Sequence, residues 1–149
     1  MNNTAVLLIA HAPLASALRS VAEHVYPDCA ARLSALDVAP GMAPAQVEEQ
    51  ARALLGAMPQ TEVLVLTDVF GATPCNVAQR LTDQRRIRVV TGVNVPMLWR
   101  VLCYEQEGAE GLAERAISGA TQGVMPVEAR APQYQDSRAH HGQDRHCDQ

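Results

Sequence analysis

Two side chains stand where chemistry could be done. His11 follows a nearly continuous aliphatic run, Thr4–Ala10 (TAVLLIA), and Asp68 follows a second strand-like run, Glu62–Thr67 (EVLVLT). A carboxylate that accepts from one imidazole nitrogen sets the tautomer and leaves the other nitrogen free as a nucleophile. It also stabilises positive charge developing on the ring. Just beyond Asp68 come Gly71, Ala72 and Thr73, then Pro74. Glycine permits close backbone approach, and the N–H groups at a helix start form an anion site; Thr73 adds a hydroxyl donor. A nucleophilic imidazole, an orienting carboxylate and helix-terminal donors are the parts of a site that could receive a phosphoryl group. Each has a plainer reading alone: a strand-end histidine is commonly structural, and an aspartate there commonly caps a turn. His24, inside a helical stretch without such company, is given no role.

Those residues need a scaffold that brings two strand ends together. Apolar runs of this length, bounded by turn residues, read as strands buried on both faces of a parallel sheet. Leu33–Val38 is a weaker second strand, closed by Pro40 and Gly41, and Arg86–Thr91 a fourth. Between them the apolar residues take helical spacing. Leu14, Leu18, Val21, Ala22 and Val25 mark a first helix that Pro27 ends. Val47, Ala51, Leu54 and Leu55 line one face of a second, with Pro44 at its first position. Pro74 opens a third, with Val77, Ala78 and Leu81 inward. Further helices are predicted over about 96–104 and 108–120. This alternation predicts an α/β fold, a doubly wound, mostly parallel four-stranded sheet with helices on both faces. Ligands of such sheets bind beyond the strands' carboxyl ends, where His11 and Asp68 lie. The domain is expected over residues 1–127. Residues 128–149, polar and aperiodic, are expected to form a disordered tail.

Composition narrows the classes. The chain has 149 residues, enough for one domain with a real core, and its 48% hydrophobic content is almost free of aromatics at 3%. Twelve basic residues against sixteen acidic give −4, so no nucleic-acid partner is expected. Every basic residue is Arg; without Lys there is no Walker-type phosphate lysine and no Schiff base. Cys29, Cys75, Cys103 and Cys147 show no CxxC spacing, so no metal site is expected, and the free thiols suit a reducing compartment. The His140, His141, His146 and Cys147 cluster is read as part of the tail. Neither a secretory leader nor a membrane-spanning run is seen, so a cytoplasmic protein without direct membrane insertion is expected.

Three motifs carry a family resemblance. The segment 63–78, VLVLTDVFGATPCNVA, resembles the signature of the IIA components of the mannose family (mannose/fructose/sorbose type) of the phosphoenolpyruvate-dependent sugar phosphotransferase system. Residues 92–98, GVNVPML, resemble its second signature, and Ile9-Ala10-His11 its active-site start. The three occur in order at matching spacing across roughly residues 4–127. The resemblance implies a phosphotransferase without cofactor that accepts phosphate from the phosphocarrier HPr and passes it to a IIB component. The acceptor maps onto His11, the orienting aspartate onto Asp68 and the phosphate-side hydroxyl onto Thr73. Asn94 falls in the loop bordering the site, with a structural role expected. The resemblance also implies a homodimer exchanging a further edge strand, for which residues 124–129 are the candidate; Pro126 there demands an edge position or a bulge. One departure stands out: Ala12-Pro13 follows the histidine where the family commonly has glycine.

Other readings stay open at this point. The chain could be a regulatory sensor whose phosphorylation state reports to a partner without sugar transport. A receiver-like domain phosphorylated on Asp68 lacks its lysine and acidic pair, and a plain ligand-binding α/β domain lacks a nucleotide fingerprint.

Overall fold

The computed structural model describes residues 4–83 and 85–129. Strands β1 (Ala5–His11), β2 (Leu33–Val38), β3 (Val63–Thr67) and β4 (Ile87–Val90) alternate with helices α1 (Leu14–Val25), α2 (Pro44–Ala57), α3 (Thr73–Leu81), α4 (Val95–Cys103) and α5 (Ala109–Gln122). The sheet order is β2-β1-β3-β4 and every pairing is parallel. The chain leaves β1 for β2 on one side, then crosses back to β3 on the other. The point where the winding reverses therefore falls between β1 and β3, where such folds open a crevice.

Alternate residues of β1 serve two cores. Val6, Leu8 and Ala10 pack with Leu18 and Ala22 of α1, Leu98 and Val101 of α4, and Leu112 of α5. Ala5, Leu7 and Ile9 pack with Val47 and Ala51 of α2 and Val77 and Ala78 of α3. Burial on both faces is why these strands read as apolar runs and not as alternating ones. The α1 stripe is narrower than the spacing of its apolar residues suggests. Ala15, Leu18 and Ala22 are buried, whereas Leu14, Val21 and Val25 are 38%, 40% and 45% exposed. The two alanines let the helix lie close to the sheet, which turns the larger residues outward.

A 3₁₀ turn at Cys29–Arg32, absent from the sequence reading, precedes β2. It delivers Arg32 into the protein, where the residue is 7% exposed. Its guanidinium donates to Thr4 O at 2.8 Å, Val101 O at 2.9 Å and Leu102 O at 3.2 Å. One side chain thus ties the start of β1 to the last carbonyls of α4, the end of a helix that favours a cation. Burial pulls its pKa below the ordinary value, against the opposing influence of Glu105 and Cys29. Arg32→Ala would leave those carbonyls without their donor, at a cost of about 3 kcal/mol. The expected result is a lower urea midpoint at unchanged m-value.

Residues 124–129 form no strand in the single chain, and Val124, Met125 and Val127 are exposed. Among the described residues no helix is long and apolar enough to cross a membrane. The tail expected from residue 128 lies, past residue 129, outside the described residues.

Candidate functional site

β1 and β3 are paired up to Ile9 and Thr67, so the residues just beyond this register meet at the crevice. His11 Nδ1 lies 2.6 Å from Asp68 Oδ2, and the His11 main-chain N–H donates to the same oxygen at 2.9 Å. Asp68 Oδ1 accepts from the Val69 N–H at 2.8 Å. Three donors thus fix one carboxylate, and it fixes the ring in turn. With Asp68 ionised, the proton belongs on Nδ1, and Nε2 keeps its lone pair. Burial pushes the Asp68 carboxyl up, but the His11 main-chain and ring bonds and the Val69 N–H outweigh it and hold its pKa below the ordinary value. Exposure divides the roles: the His11 side chain is 53% exposed and that of Asp68 only 13%. The imidazole is presented and its carboxylate partner is sheltered.

From Asp68 the chain runs through Gly71, at φ +88°, into α3. A Cβ at Gly71 would meet nothing within 4 Å, so glycine answers a conformational demand, not a crowding one. Asn76 Nδ2 donates to Gly71 O at 3.3 Å and closes the turn. The helix starts at Thr73, one residue before the predicted Pro74, with Ala72 before it and no side chain capping it. Its first-turn amides are therefore unclaimed by side chains. Gly71, Ala72 and Thr73 lie in the chain between Asp68 and the first turn of α3, and the Thr73 hydroxyl hydrogen-bonds to neither His11 nor Asp68.

The loop after β4 is tied to the same strand end. Gly92 N–H donates to Asp68 O at 3.0 Å and Val93 N–H to Thr67 O at 2.9 Å. Asn94 is committed elsewhere: its Oδ1 caps α4 by accepting from Met97 N–H at 2.8 Å, and its Nδ2 donates to Ala120 O at 3.4 Å. Both ends of that side chain hold helices in place.

After His11, Ala12 N–H donates to Val38 O at 3.0 Å, so pairing with β2 continues past the histidine, and Pro13 O accepts from Ala17 N–H at 2.9 Å to start α1. Two features here escaped the sequence reading. Asp37, inside β2, turns its carboxylate onto Ser16 of α1, and Val69 and Phe70, beside Asp68, are 51% and 72% exposed. Asp37 carries part of the signal that marks Asp68, an acid near the end of a strand-like run, but nothing local in the sequence shows what it binds. Among the described residues no three His, Cys, Asp or Glu side chains gather to hold a metal; His140, His141, His146 and Cys147 lie outside them.

Comparison with known proteins agrees with the fold and places the chain in a family. A family model described as PTS system fructose IIA component matches residues 5–117. The chain is 32% identical over 106 residues to the PTS system mannose-specific EIIAB component of Escherichia coli strain K12, covering 65% of this chain and 33% of that protein. It therefore spans about a third of the length of the curated relatives it matches. Among solved structures, the mannose/sorbose specific IIA subunit of Enterococcus faecalis superposes with a TM-score of 0.78 at 20% identity, over 87% of this chain and 98% of that one; at that identity the likeness shows the fold alone. The PTS IIA protein associated with the fucose utilization operon of Streptococcus pneumoniae gives 0.71 at 26%, over 84% and 93%.

Proposed function

We propose, since the chain belongs to the EIIA-man family, the PTS system fructose IIA component, that it carries a phosphoryl group on His11 between two proteins of a sugar phosphotransferase system. The donor is the phosphocarrier HPr and the acceptor a IIB component. The observation that carries this reading is the 2.6 Å bond between Asp68 and His11 Nδ1, which leaves Nε2 as the attacking atom. A P–N bond forms at Nε2 as the donor's P–N bond breaks, and the released electron pair returns to the donor's imidazole. Both bonds are phosphoramidates of similar energy, so the step asks for in-line placement and charge stabilisation more than for covalent machinery. Asp68 supports the ring as positive charge builds on it, and the uncapped start of α3 offers N–H groups to the phosphoryl oxygens.

An acceptor on an open face suits delivery by a protein. Val69 and Phe70 beside it offer exposed apolar area, and an aromatic anchor of this kind is a common centre of protein contacts. Residues 1–127 form the carrier domain in this reading, and 128–149 an appended tail. The chain works as a homodimer in the cytoplasm, its exposed Val124, Met125 and Val127 available to a second copy.

Incubation with phosphoenolpyruvate, Enzyme I and HPr should add one phosphoryl mass to the intact protein. The label should be acid-labile and base-stable, and should move on to a cognate IIB domain. No label in the presence of competent phospho-HPr would refute the reading. A label that no IIB takes up would point to the regulatory sensor instead.

A further inference from the structure

Taking His11 as the acceptor, as proposed above, we infer that Asp37 is a positioning residue for the transfer, capping α1 from a different strand. The chain turns from β1 into α1 through Ala12 and Pro13, and Pro13 has no side-chain acceptor with which to cap the helix. The first-turn amides of α1 are thus unserved locally. Asp37 serves them across the fold. Its Oδ1 accepts from the Ser16 N–H at 3.0 Å and its Oδ2 from the Ser16 hydroxyl at 2.5 Å. Ser16 is the third residue of α1, the position a capping side chain ordinarily reaches.

The consequence for His11 is geometric. Its partner in the sheet register is Val38, the last residue of β2, and Ala12 N–H is bound to Val38 O. The turn 12–16 is therefore fastened at both ends to the last two residues of β2, Asp37 at one end and Val38 at the other. The His11 backbone is held between this clamp and Asp68, so the direction of Nε2 depends on the clamp as well as on the Asp68 bond.

The consequence for the phosphoryl group is electrostatic. The positive end of α1 already holds a carboxylate, so it is closed to a second anion. The start of α3, which no side chain caps, is left as the helix end for the transferred oxygens. Asp37 both aims the ring and directs the incoming group toward the β3 side. This is a role for a strand-end acid that touches neither the reacting nitrogen nor the phosphate, and a mispointed nucleophile is costly even at small displacements.

The test follows transfer from phospho-HPr by rapid quench, with folding of each variant checked by circular dichroism at the assay temperature. Asp37→Ala should lower the limiting transfer rate at least roughly tenfold, with KM for phospho-HPr within about twofold of wild type. Asp37→Asn keeps an oxygen for the Ser16 N–H and should restore the rate to within about threefold. In 1H–15N spectra the His11 and Ala12 amides should shift in Asp37→Ala and stay near wild type in Asp37→Asn. A folded Asp37→Ala protein that transfers at the wild-type rate overturns the proposal, as does a loss that Asp37→Asn fails to recover. Should Asp37→Ala not fold, Asp37→Val decides, since it removes the acceptor for the Ser16 N–H while suiting a strand, with slower transfer in support and an unchanged rate against. An unlabelled wild type overturns the phosphocarrier reading itself, and the amide shifts alone then decide whether Asp37 positions His11.

Discussion

A His11→Ala protein should take up no phosphate from phospho-HPr, even after long incubation, while melting close to wild type. Removing the ring removes the nucleophile, and among the residues assembled at the crevice no other side chain offers a nitrogen with a free lone pair. The variant should stay folded because the site does not lean on the ring for its packing: the His11 side chain is 53% exposed. Asp68 would keep its bonds from the main-chain N–H groups of residues 11 and 69, so no buried carboxylate is orphaned. The stability change is expected to stay within about 1 kcal/mol. Intact mass read before and after acid treatment measures the result. A label that persists on His11→Ala would place the acceptor elsewhere. Lability of that label in base would identify an acyl phosphate, with Asp68 the first position to examine.

Much of this site is written in the sequence itself. The strands were legible because a parallel sheet covered on both faces leaves apolar runs that little else produces: Leu33–Val38 is found residue for residue, and β1 and β3 within one position at each end. Proline marked helix starts reliably, at Pro44 and within a residue at Pro74 and Pro96, because its missing N–H is tolerated there. His11 and Asp68 were legible because each follows the carboxyl end of a buried strand, where open α/β sheets bind ligands, and their types then limit the chemistry. Arg32 was not legible. A charged residue in a short segment reads as surface, and only the carbonyls at the end of α4, some seventy positions away in the chain, explain its burial. Asp37 was passed over for a related reason. A carboxylate that caps a helix from another strand leaves no local capping pattern, since Pro13 occupies the position where a capping Ser or Asp would be sought. Contacts of this kind are set by topology, and a pass along the chain sees only neighbours.

Replacing Asp68 should separate two jobs that the wild-type residue does at once. Its carboxylate orients the ring, and its charge supports the imidazole as phosphorus bonds to Nε2. Asparagine keeps one acceptor oxygen. Turned toward His11, that oxygen satisfies two donors, the main-chain N–H and the ring; turned toward Val69 it satisfies one. The first arrangement should therefore prevail, preserving ring orientation while the charge is lost. Alanine loses both. Transfer is expected to slow by about 10- to 100-fold in Asp68→Asn and by about 1000-fold in Asp68→Ala, with His11 still the labelled residue in each. Equal losses in the two variants would mean that orientation contributes nothing and charge alone matters. Acid supplies an independent check. The folded pKa of Asp68 is depressed, so its contribution to stability is present above the ordinary aspartate value and is lost as pH falls through the lower folded value. Wild type should thus lose stability relative to Asp68→Asn as pH drops below about 4. Unfolding curves for the two proteins from neutral pH downward should converge there. Parallel curves would show that the His11–Asp68 bond, whatever its part in transfer, does not hold the carboxylate ionised.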